Sequence, residues 1–311
     1  MARHASSAAP RQPAPDRLRA SEPLRERLLA GRNADGGWGY YANHSSRLEP
    51  TCWTMLALAA SGASRTEIES AAAWIGRCAR PTGWLVENPA WPVNIAFNAL
   101  TDFTLRAVPG TSSDTVAPHV LASLLESKGL AAPNAPDVPQ DNSLQGWSWI
   151  DANFSWVEPT CWGMLALKSA RAHGVTSAAT APRLAEAERL LADRSCHPGG
   201  WNFGNAVVMK HDLRPYVPAT ALALLAMQDL RGADVVSRGL AALESLWPTE
   251  ISALSLGLSL ICLDVYGRPT DRVVAELSEH AAKASEFGNF HGMAVALFAL
   301  SSAGHAHAFK L

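Results

Sequence analysis

The sequence predicts an all-α protein in which six helix pairs form a single α/α toroid. Three observations support this prediction: a short motif that recurs along the chain, an Ala- and Leu-rich run after each copy, and amphipathic segments between those runs. The chain has 311 residues, 48% of them hydrophobic, which is enough for one large core. We assign residues 21–311 to the toroid. Residues 1–20, rich in Ala, Pro, Arg and Ser, are expected to form a disordered arm.

The recurring motif is a Gly-Trp turn followed by a polar loop and an apolar run. The sequence EPTCW occurs twice, at 49–53 and 158–162, and Trp38 and Trp147 precede the two copies at the same spacing. A third turn of this kind contains Trp201. The repeating unit is therefore about 50 residues long, which accommodates two helices and their loops.

Each unit predicts one inner and one outer helix. The Ala- and Leu-rich runs are apolar on nearly every side, which requires burial, and Pro50 and Pro159 suit a first helical turn. The predicted inner helices lie near 50–61, 92–107, 158–172, 216–229, 249–266 and 290–303. The segments between them carry one polar face, and these predicted outer helices lie near 22–31, 64–79, 114–128, 181–195, 233–246 and 269–285. The last unit is as apolar as the middle ones, which favours a closed ring over an open array.

Composition excludes several classes of protein. A formal charge of −2 and a pI near 6.5 provide no basic surface for nucleic acid. The five cysteines include no CxxC pair, which indicates reduced thiols and predicts a cytoplasmic protein. The most apolar stretch, 251–263, contains three serines and is shorter than the ~20 residues that cross a bilayer, so we expect no transmembrane segment.

Gly-Gly-Trp turns followed by Ala-rich helices resemble the repeats of the squalene–hopene cyclase and protein prenyltransferase superfamily. The resemblance covers roughly residues 22–303 and implies a barrel of six helix pairs. It also implies a hydrophobic isoprenoid ligand, of the polyprenyl or triterpene kind, and an isomerase or transferase activity. Members of this superfamily pair the barrel with a second barrel or another subunit. The resemblance therefore implies a second subunit or a homodimer that completes the site.

The acid motif of the cyclases is absent from this chain. The resemblance places an Asp-x-Asp-Asp motif just before Thr220, where this chain has Tyr-Val-Pro-Ala at 216–219. Neither Tyr, Pro nor Ala is acidic enough to protonate an alkene. The candidate catalytic acids are instead Asp212, Glu49 and Glu158. Three interpretations remain open: an enzyme with changed chemistry, a non-catalytic lipid-binding protein, or a protein-interaction scaffold of the same fold.

The EPTCW copies admit three interpretations: a metal site, a polar ring at a ligand-binding mouth, and a structural role. The zinc prenyltransferases use Asp, Cys and His at the starts of inner helices, which makes Cys52, Cys161 and His211 candidate zinc ligands by resemblance. The Glu-x-x-Cys spacing here differs from the family's Asp-x-Cys, and we expect no cofactor. In the structural interpretation Glu49 and Glu158 cap helix starts and the cysteines act as small buried hydrophobic residues.

Aromatic residues near the predicted helix starts are candidates for ligand binding. The stretch GWSWIDANFSW at 146–156 suits an apolar chain or a carbocation. The candidate substrate-binding residues are Trp53, Trp149, Phe154, Trp156, Trp162 and Tyr216. The tryptophans that follow Gly in the turns are predicted to be structural, and these are Trp38, Trp84, Trp147 and Trp201.

Overall fold

The computed structural model describes residues 15–62, 65–108, 110–111, 113–134 and 138–311, and these ranges are mostly helical. Their α-helices are α1 (Pro15–Ala30), α2 (Leu48–Ala60), α3 (Arg65–Arg77), α4 (Ile95–Ala107), α5 (Ser113–Glu126), α6 (Val157–Ala172), α7 (Thr180–Asp193), α8 (Val217–Ala226), α9 (Asp234–Leu246), α10 (Ala253–Val265), α11 (Asp271–Phe287) and α12 (Phe290–Ser302). An antiparallel hairpin of β1 (Val207–Val208) and β2 (His211–Asp212) precedes α8. The predicted all-α class is confirmed.

The even-numbered helices form a closed inner ring. Each packs against the next, from α2 through α4, α6, α8 and α10 to α12, and α12 packs in turn against α2. The odd-numbered helices lie outside this ring; α5, for example, contacts α4 and α6, and α11 contacts α10 and α12. The predicted toroid of inner and outer helix pairs is therefore confirmed. None of the helices described is long and apolar enough to cross a membrane.

The first helix begins earlier than the sequence predicts. Residues 15–20 belong to α1, so the expected arm over 1–20 is too long, while residues 1–14 lie outside the described part. Helix α1 packs on α11 and α12, where Leu24 and Leu28 are buried. The Arg17 side chain also donates a hydrogen bond to the carbonyl of Ala303 (3.1 Å). These tertiary contacts stabilise a segment whose composition alone predicts disorder.

The Gly-Trp turns fasten each outer helix to the inner helix that follows. Trp147 is fully buried, and its indole Nε1 donates to the carbonyl of Leu124 in α5 (2.9 Å). Its backbone N–H donates to Oγ1 of Thr160 in α6 (3.1 Å). The same bonds recur at Trp38 and Trp201, which are also fully buried. The predicted structural role of these three tryptophans is confirmed, and it explains why Thr follows Pro in both EPTCW copies.

The second unit departs from this pattern. There Leu85, not Trp84, occupies the buried position, and Trp84 is only half-buried. The side chain of Asn98 in α4 accepts a hydrogen bond from the Leu85 N–H (2.7 Å) and donates one to the Leu85 carbonyl (3.0 Å). Asn98 therefore replaces the threonine of the other units. The predicted equivalence of Trp84 with the other turn tryptophans is wrong by one residue.

Aromatic side chains fill the middle of the toroid. Phe309, from the segment after α12, stacks on Trp53 with ring centroids 5.7 Å apart, and its ring lies 4.8 Å from that of Phe103. Trp162 and Phe298 also contact Phe309, and all five side chains are buried. The lumen is therefore packed at this level, and space for a ligand must be sought nearer the ends of the ring.

Candidate acid site at the amino-terminal mouth

All inner helices begin at the same end of the toroid, which we call the amino-terminal mouth. The loops that lead into these helices bind neighbouring helix starts. The Phe203 carbonyl accepts a hydrogen bond from the Val157 N–H of α6 (3.0 Å), and the Trp149 carbonyl accepts one from the Ile95 N–H of α4 (2.9 Å). Because these bonds use backbone donors that a helix start leaves free, they order the loops around the mouth.

The second residues of three inner helices form an acid cluster at this mouth. These residues are Glu49 in α2, Glu158 in α6 and His291 in α12. Oε2 of Glu49 accepts a hydrogen bond from the Tyr40 hydroxyl (2.5 Å) and lies 3.7 Å from Nδ1 of His291. The shared position is the reason for the cluster, because equivalent residues of parallel inner helices reach the same level of the ring.

Burial gives the cluster unusual acid–base properties. It raises the pKa of Glu49 to about 7, although the hydrogen bond from Tyr40 favours the carboxylate. Burial also raises the pKa of Glu158 to about 8, and the negative charge of Glu49 contributes to that rise. The pKa of His291 falls to about 4 because its imidazole is buried. Near neutral pH the cluster therefore holds a largely protonated Glu158 and a partly protonated Glu49 beside a neutral imidazole.

The structural interpretation of EPTCW expects Glu49 to cap its own helix, but Glu49 does not do so. The carboxylate of Glu87, from the loop before α4, accepts the hydrogen bond of the Leu48 N–H at the start of α2. Arg47 binds the same carboxylate (2.7 Å). With the cap supplied by Glu87, the carboxyl group of Glu49 is free to accept the hydrogen bond from Tyr40.

Two pockets are lined by residues that contact the Glu49 carboxyl group. Glu49 contacts His291, which lines the first, and Tyr40, which lines the second. The first has a volume of about 410 Å³, and its lining includes Ile251, Ala253, Leu254, Ala284, Phe287, His291 and Gly292. The second, of about 420 Å³, is lined by Tyr40, Tyr41, His44, Ser45, Arg47 and Trp91. Both volumes lie in the range of small-molecule sites.

The candidate zinc ligands are not brought together. Sγ of Cys52 contacts Oγ1 of Thr101 (3.3 Å), and burial raises the pKa of the Cys52 thiol to about 12. Burial also raises the pKa of Cys161, while His211 is exposed in β2. Within the described ranges, no group of three or more His, Cys, Asp or Glu side chains is arranged to hold a metal ion.

The third catalytic candidate, Asp212, differs from the residues of the cluster because it is exposed. It lies in β2, where its carboxylate binds Nδ1 of His197 (2.9 Å) and both side chains are largely in solvent. The structure therefore offers Asp212 none of the burial that distinguishes Glu49 and Glu158.

The candidate substrate-binding aromatics lie at two levels. Trp53 and Trp162 are buried in the packed lumen below the acid cluster. The other four lie in the loops of the mouth. Of these, Phe154 and Tyr216 are exposed, Trp149 packs edge-on against Phe97, and Trp156 is half-buried with its indole Nε1 unpaired. The mouth-level residues are therefore the ones that a ligand can reach without displacing the packed rings.

Sequence reasoning missed two residues of the cluster, Tyr40 and His291. The signal for His291 was its register: it is the second residue of its helix, as Glu49 and Glu158 are of theirs. Tyr40 carried no comparable signal, because its loop position acquires meaning only from the hydrogen bond to Glu49.

No protein-family model matches this chain, and no curated protein matches it. Solved structures do share its fold. The type II terpene cyclase MstE from Scytonema aligns over 93% of this chain and 98% of its own, with a TM-score of 0.58 and 14% identity. An inactive α-1,6-mannanase variant from Salegentibacter, in complex with α-1,6-mannotriose, aligns over 93% and 99%, with a TM-score of 0.61 and 10% identity. A β-1,3-1,4-glucanase from Paenibacillus aligns over 97% of both chains, with a TM-score of 0.63 and 8% identity.

These likenesses show the fold alone, because the identities are low. They agree with the resemblance seen in the repeats at the level of a cyclase-like α/α toroid, and they do not single out the squalene–hopene cyclases. The chain is therefore an α/α toroid with a buried carboxyl cluster at its amino-terminal mouth.

Proposed function

We propose that this protein is an enzyme that transforms a hydrophobic isoprenoid by general-acid catalysis at the amino-terminal mouth. The observation that carries the proposal is the Glu49 carboxyl group, buried and bound by Tyr40 beside His291. The missing Asp-x-Asp-Asp motif removes the usual acid of the squalene cyclases, and Glu49 supplies a different one. Glu158 keeps a second protonated carboxyl group at the same level.

The chemistry follows from the protonation states. Protonated Glu49 transfers its proton to one carbon of a C=C bond, which leaves a carbocation on the substrate and a carboxylate on the enzyme. The Tyr40 hydroxyl stabilises that carboxylate. After ring closure or rearrangement, the neutral imidazole of His291 accepts a proton from a carbon next to the cation. One proton enters and one leaves, so the product is an isomer of the substrate.

Aromatic rings near the acid support the cation. The rings of Tyr40 and Trp91 line the second pocket, and the Tyr40 ring lies 6.3 Å from that of His291. The face of an aromatic ring attracts positive charge. The raised pKa keeps the proton on part of the Glu49 population at neutral pH but also makes the acid weaker. The reaction therefore depends on cation stabilisation by these rings as well as on the acid.

The pocket beside His291 supports an apolar substrate. Ile251, Leu254 and Phe287 line it, and its volume of about 410 Å³ accommodates part of a prenyl chain. The terpene cyclase from Scytonema aligns over nearly its whole length with this one toroid. That coverage supports a site within a single chain, although the resemblance in the repeats implies a second subunit or a homodimer.

Turnover in deuterium oxide tests the proposal. The protein is incubated with squalene or geranylgeranyl diphosphate, and the products are analysed by mass spectrometry. We expect an isomer that carries one deuterium, delivered by the exchangeable proton of Glu49. Glu49→Gln should abolish it, whereas Asp212→Asn, at an exposed carboxylate, should not. An isoprenoid that co-purifies or binds without turnover would favour the non-catalytic lipid-binding alternative.

A second candidate function is glycoside hydrolysis, and the pair of neighbouring glutamates favours it. Hydrolysis by two carboxyl groups requires one protonated acid and one ionised partner, and the pKa of Glu158 lies above that of Glu49. The mannanase and glucanase show that toroids of this shape occur among glycosidases. We rank glycoside hydrolysis second because the wall of the pocket beside His291 is apolar. Release of reducing sugar from α-mannan or β-glucan would reverse that order.

A further inference from the structure

A hairpin at the amino-terminal mouth exposes apolar and basic side chains side by side. It leads from Trp201 into α8, and its residues 208–214, with the sequence VMKHDLR, are all exposed. Met209 at the tip is 90% exposed, and Val208 in β1 and Leu213 after β2 are also exposed. Large apolar side chains in water are unfavourable, so a hairpin that presents three of them indicates a surface that is covered in use.

The backbone keeps this tip away from the protein core. Val207 pairs with Asp212 in the antiparallel hairpin, and the two turn residues, Met209 and Lys210, both have positive φ values (50° and 66°). Two consecutive residues of that kind form the tight turn that matches the twist of a hairpin. At the base, the Phe203 ring stacks on Tyr216 with centroids 5.2 Å apart. The apolar tip is therefore held in solvent by ordered structure.

The charges of the hairpin are uneven. Lys210 and Arg214 form no ion pair with any residue in the described ranges, whereas the one acid, Asp212, is bound to His197. The hairpin therefore presents unpaired positive charge next to apolar side chains. An anionic lipid surface binds this combination, because the headgroups attract the cations while the apolar side chains enter the acyl boundary.

We propose that the hairpin formed by residues 203–216 docks the amino-terminal mouth onto an anionic phospholipid surface. Ile251 and Phe287, which are 77% and 80% exposed, line the pocket beside His291 at the same mouth. Docking in this orientation turns that pocket towards the lipid. The proposal does not depend on the proposed activity, because it rests on the hairpin alone.

Vesicle co-sedimentation tests the docking with a matched pair of variants. Val208 in the hairpin and Val175 after α6 are exposed to a similar extent (44% and 40%), but they lie at opposite ends of the toroid. The full chain, Val208→Asp and Val175→Asp are each mixed with vesicles of phosphatidylcholine alone or with an equal part of phosphatidylglycerol. Circular dichroism melts confirm that each variant is folded.

We expect the unchanged protein to bind the phosphatidylglycerol vesicles at low salt and to be released at high salt. Val208→Asp should weaken the partition about tenfold or more, since an apolar contact is replaced by a charge, and Val175→Asp should leave it unchanged. Combined Lys210→Ser and Arg214→Ser changes should remove the preference for anionic vesicles. Failure of the unchanged protein to bind them would overturn the proposal, as would equal losses in the two valine variants. Concentration-dependent dimers that only Val208→Asp abolishes, without vesicle binding, would assign the surface to a second copy.

Discussion

Replacement of Glu49 by glutamine should change how the stability of the fold depends on pH. The amide keeps the shape of the side chain and can still accept the hydrogen bond from Tyr40, but it cannot ionise. Any difference between the two proteins that grows with pH therefore reports the cost of ionising a buried carboxyl group. The exposed glutamate Glu279 on α11 provides a control, because Glu279→Gln makes the same substitution at a side chain that lies in solvent.

The sign and size follow from the pKa of Glu49. Below the unfolded value of about 4.5 the carboxyl group is protonated in both states and contributes nothing to the pH dependence. As pH rises towards the folded value of about 7, the unfolded chain loses the proton first, so the folded state loses stability. The difference between the folded and unfolded pKa values corresponds to a loss of about 3 kcal/mol of stability at most. Because the carboxyl group has partial solvent access, we expect a loss of about 2 kcal/mol. Above that pH the loss is constant.

Urea unfolding followed by circular dichroism at pH 5 and pH 8 measures this effect. We expect the free energy of unfolding of Glu49→Gln, relative to the unchanged protein, to increase by about 2 kcal/mol between the two pH values. In the variant the pKa of Glu158 also falls, because residue 49 no longer carries a negative charge. This fall likewise makes the variant more stable at high pH relative to the unchanged protein. If Glu49→Gln and Glu279→Gln gave the same small pH dependence, the Glu49 carboxyl group would be solvated and the acid site would be refuted.

Three further predictions concern the packing of the repeats. A Cβ at Gly163 in α6 would lie 2.4 Å from the Trp147 ring, so Gly163→Ala should destabilise the protein. Gly76 in α3 has open space around it, so Gly76→Ala should be neutral or stabilising by up to about 1 kcal/mol. Thermal melts that rank the two variants the other way would contradict this prediction. Thr160→Val leaves the buried Trp147 N–H without its side-chain partner and should lower the free energy of unfolding in urea by about 1–3 kcal/mol. Thr160→Ser keeps the hydroxyl group and should be close to the unchanged protein. Equal losses of stability in the two variants would assign the effect to the methyl group. Phe309→Ala should cost about 3–5 kcal/mol because the ring is fully buried in the lumen, and a loss below about 1 kcal/mol would mean that the segment after α12 is not seated there.

Most of the fold could be predicted because its signals are local. The spacing of the Gly-Trp turns and the apolar runs determines where helices begin and which face they bury, and the predicted inner helices differ from the observed ones by only a few residues. The errors arose where a tertiary contact decided the outcome. Residues 15–20 are helical although composition predicts disorder, and Leu85 takes the place of a tryptophan because Asn98 binds its backbone.

The candidate site could be predicted only in part. The EPTCW copies identified Glu49 and Glu158, and the sequence alone determined that both stand at the starts of inner helices. Only the tertiary structure decided that His291, which follows Glu49 by more than two hundred residues, lies 3.7 Å from its carboxyl group. The physical reason is ring closure: the contact between α2 and α12 joins the two ends of the repeat array. The burial that raises the pKa of both glutamates likewise exists only once the ring is closed.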